Sequence, residues 1–335
     1  MKRLCFCIGI FSAALLAGCE KIPETKTVRV DGSSTVAPIM TAAAEAFRKE
    51  DDQVHVTVAF SGTGGGFKKF LDQDAALRTD ISDASRPIKK VERDLASKVG
   101  VDYIEIPIAY DGIAVVVNPE NDFCDALTVD ELEAIFAPDS TIKTWREVRP
   151  SFPEIELKRF GPGTDSGTYD YFVEAILDGQ KGLHPDYSAS EDDNVLVQGV
   201  SRDKGAIGYF GFAYFEANEA KLKVVGVIGA SGNAVLPTRA TISDASYEPL
   251  SRPLFIYVNV AALQRPEVAR FVEFVLRDPA KFVEHPSVGY VAFPAALYEK
   301  IRDRFATRAT GSVYGGDTDQ TTSLEAIYGL KPEGA

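Results

Sequence analysis

Strand-like and helix-like stretches alternate along the chain, and glycine and hydroxyl residues crowd the joints between them. Val28 to Val30 reads as a short strand, and Pro38 opens a helix reaching about Lys49. His55 to Phe60 sets Val56 and Val58 among smaller or polar residues, the alternation of a strand, and Phe67 to Asp74 follows as a helix. A helix from about Lys89 to Val99 stops at Gly100. Tyr103 to Ala109 and Gly112 to Asn118 are apolar runs around Tyr110-Asp111-Gly112, the pattern of a chain crossing between domains. Thr128-Val129-Asp130-Glu131 forms a capping box for a helix burying Leu132, Ile135 and Phe136. Leu157 to Phe160 then leads through a turn to a helix whose apolar face is Tyr169, Phe172, Val173 and Ile176.

Further short elements are expected at 193–202, 206–210 and 222–228. Pro253 to Val258 is a near-continuous apolar strand, buried on both faces, that carries the chain back. Val268, Phe271, Val272 and Val275 mark one helix face, and Ala295 to Phe305 forms another helix. From Ala306 onward the periodicity fades, predicting a loosely held tail. The alternation implies an α/β architecture of mostly parallel sheets, in which ligands sit outside the carboxyl ends of strands.

Three joints share one chemistry: Ser33-Ser34-Thr35, Ser61-Gly62-Thr63 and Ser166-Gly167-Thr168. Each places short neutral donors and glycine beside a helix N-terminus, where unpaired N–H groups and the positive end of the dipole favour an anion. Any one of them is equally well a helix cap with a turn; together they read as an oxyanion site. Arg86 is the cation nearby, either clamping the anion or pairing with Asp83 or Asp111. Asp83, Asp111 and Asp165 are candidate acceptors for a proton on the ligand, a feature favouring hydrogen phosphate over sulfate.

Other chemistries fit poorly. Gly62-Thr63-Gly64-Gly65-Gly66 runs into Phe67-Lys68-Lys69, matching neither the P-loop nor the dinucleotide fingerprint. No serine lies in G-x-S-x-G, and His55, His184 and His285 are scattered, away from metal-ligand spacing. An enzyme would require Ser34, Ser166 or Thr168 to act as nucleophile; no cofactor is implied.

Lys2 and Arg3 followed by the apolar run Leu4 to Ala17 read as an export signal, residues 1–18. Leu16-Ala17-Gly18-Cys19 resembles the lipobox of bacterial lipoproteins, making Cys19 the expected lipid-bearing terminus and Glu20 to Thr27 a tether. Cys124 then remains without a disulfide partner. Removing Lys2 and Arg3 takes the formal charge from −13 to −15, which argues against nucleic acid. An anionic ligand remains compatible, because surface charge is screened within about 8 to 10 Å while oriented donors act at contact.

As a set, Asp31 to Pro38, Ser61 to Phe67, Asp80 to Pro87, Tyr110-Asp111-Gly112, Ser166-Gly167-Thr168 and Gly205 to Tyr209 resemble the periplasmic phosphate-binding proteins of ABC transporters, the PstS/SphX type. The resemblance implies a two-lobed periplasmic-binding-protein fold (type II), each lobe a mostly parallel sheet with flanking helices, joined by two crossover strands. The lobes would comprise residues 25–110 plus 252–305 and residues 111–251, with 306–335 as the tail. It implies a lipid-anchored monomer that captures inorganic phosphate, without catalysis, and delivers it to a permease. Another tetrahedral oxyanion (sulfate, molybdate or tungstate) is the alternative, and a phosphatase using Ser166 or Thr168 a further one. Ligand contacts are implied at Ser34, Thr35, Val36, Ser61, Ser85, Arg86, Ser166, Gly167 and Thr168. Two positions depart from the better-known members: Ser85 replaces a proton-accepting aspartate, and Pro162 replaces an arginine.

Overall fold

The computed structural model describes residues 26–314 and 323–330, apart from 165, 180–181, 191 and 286–287. The expected signal segment, Cys19 and Asp165 therefore lie outside the described residues.

The elements are organised around two long strands, Tyr103–Val117 and Ser251–Asn259. On one side of them lie Ile81–Ala84, Lys26–Gly32 and Val54–Phe60, and on the other Ala206–Gly211, Lys158–Gly161 and Tyr187–Ala189. Both flanks pair in parallel internally. Ser251–Asn259 instead runs antiparallel to both its neighbours, and Tyr103–Val117 is antiparallel to Ala206–Gly211. The expectation of mostly parallel sheets therefore needs correcting at the centre. A chain that crosses out along one strand and returns along the next must lay the two in opposite directions.

Tyr103–Val117 is one continuous strand, with every residue buried, instead of two runs broken at Asp111. Its partner changes midway: Gly112 pairs with Ser251, and Ile113 already pairs with Gly211. Asp111 stays in the ladder because Arg252 stands opposite it. A three-stranded sheet of Ala126–Thr128, Gly226–Ile228 and Ala234–Val235 lies apart.

Several helices follow from their apolar spacing. Val268, Phe271, Val272 and Val275 are fully buried on Pro266–Arg277, where Phe271 and Phe274 meet Phe47 of Ala37–Phe47 edge to face or tilted. Thr128 caps Val129–Phe136, accepting from Glu131 N at 3.0 Å, while the Glu131 carboxylate accepts from Thr128 N at 2.9 Å. Such a cap stabilises a helix by about 1 kcal/mol. On Gly167–Ile176 the buried residues are Tyr171, Phe172 and Ile176, whereas Tyr169 and Val173 stay partly exposed. The expected face is thus rotated. Phe172 stacks on Tyr209 at 3.7 Å, and the Tyr171 hydroxyl donates to Pro249 O at 2.9 Å.

The segment after Ala306 also departs from the expectation of a loose tail. Gly311 N donates to Tyr103 O at 2.8 Å. Val313 N at 2.7 Å, the Ser312 hydroxyl at 3.0 Å and the Tyr257 hydroxyl at 2.7 Å all donate to the Glu105 carboxylate. Glu105 is fully buried, and burial raises its pKa against those three donors. An unpaired carboxylate there would be costly, so the tail completes a shell that the two long strands alone do not provide. Farther on, Leu324 is buried and the Tyr110 hydroxyl donates to Glu325 at 2.9 Å.

Asp83 shows the opposite situation. It is fully buried at the end of Ile81–Ala84, and neither carboxyl oxygen has a hydrogen-bond partner. Burial, followed by the neighbouring Asp31 charge, pushes its pKa well above the ordinary value. The native state therefore keeps a proton that the unfolded chain releases near pH 4, and stability falls as pH rises from there towards the folded pKa. Asp83→Asn should consequently gain on the parent by up to about 1.4 kcal/mol per pH unit across that window. Urea unfolding at pH 4 and pH 7 measures this; a stability difference independent of pH would contradict it.

Candidate functional site

Three strands, Lys26–Gly32, Val54–Phe60 and Ile81–Ala84, end beside two helix N-termini, those of Ala37–Phe47 and Gly62–Phe70. The second helix begins at Gly62 and not at Phe67, so the glycine run is its first turns. Gly32 holds the junction: its φ is +154°, and a Cβ would lie 2.1 Å from Asp83 O. Only glycine allows that approach. Ser33 N donates to Asp83 O at 2.9 Å and Ser61 N to Gly32 O at 3.0 Å, locking the two turns together.

A cleft of about 220 Å³ opens here, lined by Ser33, Ser34 and Thr35, by Gly62, Thr63 and Gly64, and by Ser85, Arg86, Asp170, Glu174 and Arg252. Its volume falls below the roughly 300–1,000 Å³ of pockets for drug-sized ligands, which suits a small ion. Of the residues expected at the site, Ser34, Thr35, Ser85 and Arg86 line the cleft. Ser85 is tied to Thr63, with the two hydroxyls 3.1 Å apart and Ser85 N donating to Thr63 Oγ1 at 3.2 Å.

The other expected residues sit around this lining. Val36 is buried at the N-cap of Ala37–Phe47. Ser61 stands at the N-cap position of Gly62–Phe70 but, instead of capping it, donates its hydroxyl to Asp31 at 2.7 Å, while Lys69 pairs with the other Asp31 oxygen. Ser166 caps Gly167–Ile176, accepting from Thr168 N at 3.2 Å. Gly167 touches the opposite turn: Thr35 Oγ1 donates to its carbonyl at 3.3 Å, and a Cβ would lie 2.7 Å from Thr35 N. The Ser33–Thr35 and Ser166–Thr168 turns are therefore in contact.

Arg252 was missed. Its guanidinium, 6 % exposed, lies 3.5 Å over the Tyr171 ring centroid. Nε donates to Asp111 at 3.4 Å, Nη2 to Thr35 Oγ1 at 3.2 Å and Nη1 to Glu174 at 3.3 Å. Asp111 is fully buried, with a pKa that burial raises and Arg252 lowers, and its Oδ1 has no partner. A planar cation held from behind by a carboxylate and stacked on an aromatic ring presents its remaining N–H groups in a fixed direction. Only the register of the two long strands could reveal the pair, because Arg252 and Asp111 are 141 residues apart.

Arg86 is engaged differently. Its fork grips Glu92 at 2.8 and 2.9 Å and lies over Phe67, so its carboxylate partner is Glu92 and not Asp83 or Asp111. Asp111 is committed to Arg252, and Asp83 is not part of the cleft lining. His184 accepts from Asp186 N at 3.1 Å, and no histidine lines the cleft. Among the described residues no group of three or more His, Cys, Asp or Glu is placed to hold a metal, and no helix is long and apolar enough to cross a membrane. Cys124 is buried, and burial pushes its thiol up to about 12.

Residues 20–279 match the model of the PBP superfamily domain. Protein SphX of Synechococcus elongatus is 46 % identical over 329 residues, covering 98 % of this chain and 95 % of that protein. The phosphate-binding protein PstS of Staphylococcus saprophyticus is 43 % identical over 274 residues, covering 81 % and 82 % respectively. The crystal structure of a possible phosphate binding protein from Planctomyces limnophilus superposes with a TM-score of 0.79 at 46 % identity, covering 85 % of this chain and 99 % of that one. With its mixed α/β, two-domain architecture, the chain belongs to the PBP superfamily and groups with proteins of the SphX and PstS type.

Proposed function

We propose that the protein is an extracytoplasmic receptor that captures inorganic phosphate in this cleft and passes it to an ABC permease. The observation that carries the reading is the buried Arg252 guanidinium, backed by Asp111 and Tyr171 and opening onto a cleft lined by the hydroxyl and glycine residues of two helix N-terminal turns, with Arg86, Asp170 and Glu174 beside them. Relatives named as phosphate-binding proteins support it. Arg252 supplies the charge, where Pro162 leaves none and Glu92 occupies the fork of Arg86.

The two lobes, 25–110 plus 252–305 and 111–251, would close about the long strands where their pairing changes at Gly112. Ser34, Thr35, the Val36 amide, Ser61, Ser85 and Arg86 would face the ion from one side and Ser166, Gly167 and Thr168 from the other, with the short hydroxyl side chains reorienting on binding. Closure surrounds the ion with donors, and opening releases it at the permease. The mature chain acts as a monomer without catalysis, held to the membrane by lipid on Cys19.

Isothermal titration of the stripped protein should give one phosphate site. Arg252→Lys keeps the charge but loses the fork, and a hydrogen bond to a charged group contributes about 1.5–3 kcal/mol, so binding should weaken by about 10- to 150-fold. Heat with sulfate, molybdate or tungstate but none with phosphate would contradict the assignment. Cell fractionation tests the anchor: the parent should sediment with membranes and Cys19→Ser should not, whereas retention of the variant would refute lipidation.

A further inference from the structure

The helix Gly167–Ile176 presents two carboxylates to the cleft, Asp170 and Glu174, one turn apart. They are the acidic residues among those lining it. The Ser34 hydroxyl donates to Asp170 Oδ2 at 3.1 Å, and Arg252 Nη1 donates to Glu174 Oε2 at 3.3 Å. Around the cleft two guanidiniums, Arg252 and Arg86, thus stand beside four carboxylates: Asp111, Glu174, Asp170 and Glu92. An oxyanion that brings only bare negative oxygens against these carboxylates is disfavoured, since like charges at contact distance repel.

The four carboxylates are not equivalent. Asp111 and Glu174 share Arg252, and Glu92 is gripped by Arg86. Asp170 is met by a neutral donor, Ser34, which itself lines the cleft. A hydroxyl turns about its own bond and carries one proton. It can therefore swing that proton onto an incoming anion, leaving Asp170 Oδ2 beside the ion with an open lone pair. A ligand that carries its own O–H satisfies that lone pair, and one without it brings two negative oxygens together. Asp170 is exposed at the mouth of the cleft, so it can meet the ion without rearrangement of the core.

We propose that Asp170 is a specificity-determining residue that accepts the proton of the bound anion, so that the cleft takes hydrogen phosphate in preference to oxyanions without a proton. The proposal rests on the phosphate reading above. It places the proton acceptor on the helix opposite Ser34, while Ser85 contributes a hydroxyl.

Calorimetric affinities for phosphate, sulfate and monofluorophosphate, measured at neutral pH on the parent and on Asp170→Asn and Asp170→Ala, test it. Monofluorophosphate keeps the double charge and near-tetrahedral shape of hydrogen phosphate but lacks the proton. The parent should prefer phosphate over both competitors by at least about 100-fold, as expected of a site that hydrogen-bonds a ligand O–H and rejects the analogue lacking it. Both variants should shrink that preference by about tenfold or more, with the Asn amide offering N–H to a sulfate oxygen. A folding defect would weaken all three ions alike, so the ratio reads selectivity and not stability. An unchanged ratio in both variants, with phosphate still bound, would overturn the role of Asp170 alone. A parent that binds phosphate and monofluorophosphate equally would do the same. A parent that binds no phosphate would overturn the phosphate reading and this proposal with it.

Discussion

The Arg252–Asp111 pair is the constraint on which the rest of the architecture depends. Removing two charges from water costs several kcal/mol per ion, and their mutual attraction offsets this only when the remaining donors are also satisfied. Here the guanidinium rests on Tyr171 and reaches Thr35 and Glu174, so each face of the group has a role. The pair sits next to Gly112, where Tyr103–Val117 passes from the return strand to Ala206–Gly211. Losing either partner would leave an uncompensated buried charge and cost about 3–5 kcal/mol. The charge that attracts an anion is thereby fixed to the element about which the two halves are joined.

The same accounting explains the segment after Ala306. Glu105 lies in the same long strand, and its carboxylate is satisfied by Tyr257 from the return strand and by Ser312 and Val313 from beyond the last long helix. A stretch rich in glycine, threonine and serine is held by hydrogen bonds to a buried charge and not by apolar periodicity. Asp83 has no such shell, and burial together with the Asp31 charge raises its pKa and favours the neutral carboxyl. The two carboxyls lie in one sheet, on strands separated by Ser251–Asn259, yet they meet burial by different means.

Local signals in the sequence were legible where local forces decide. The Thr128 cap, the Val268–Val275 face and the hydroxyl residues at the strand-to-helix joints stand where their spacing puts them, although the glycine run from Gly62 is helix and not turn. Features set by register were not legible. Arg252 precedes an apolar run and reads as a strand boundary until Asp111 is placed opposite it. Arg86 pairs with Glu92, six residues on across Pro87, because the chain turns back there. Tyr171 replaces Tyr169 on the buried face because the helix must put an aromatic ring beneath the guanidinium. The donors for Glu105 come from some 200 residues downstream, which no window of periodicity can register.

The central claim is that Arg252, preorganised by Asp111 and Tyr171, is the charge complement of the anion. The most direct measurement is a crystal structure of the phosphate-saturated protein. The account predicts a phosphate oxygen about 2.7–2.9 Å from an Arg252 Nη atom, with Asp111 still on Nε and the Tyr171 ring still beneath. Phosphate seated on Arg86, with Arg252 still bound to Thr35 and Glu174, would contradict it.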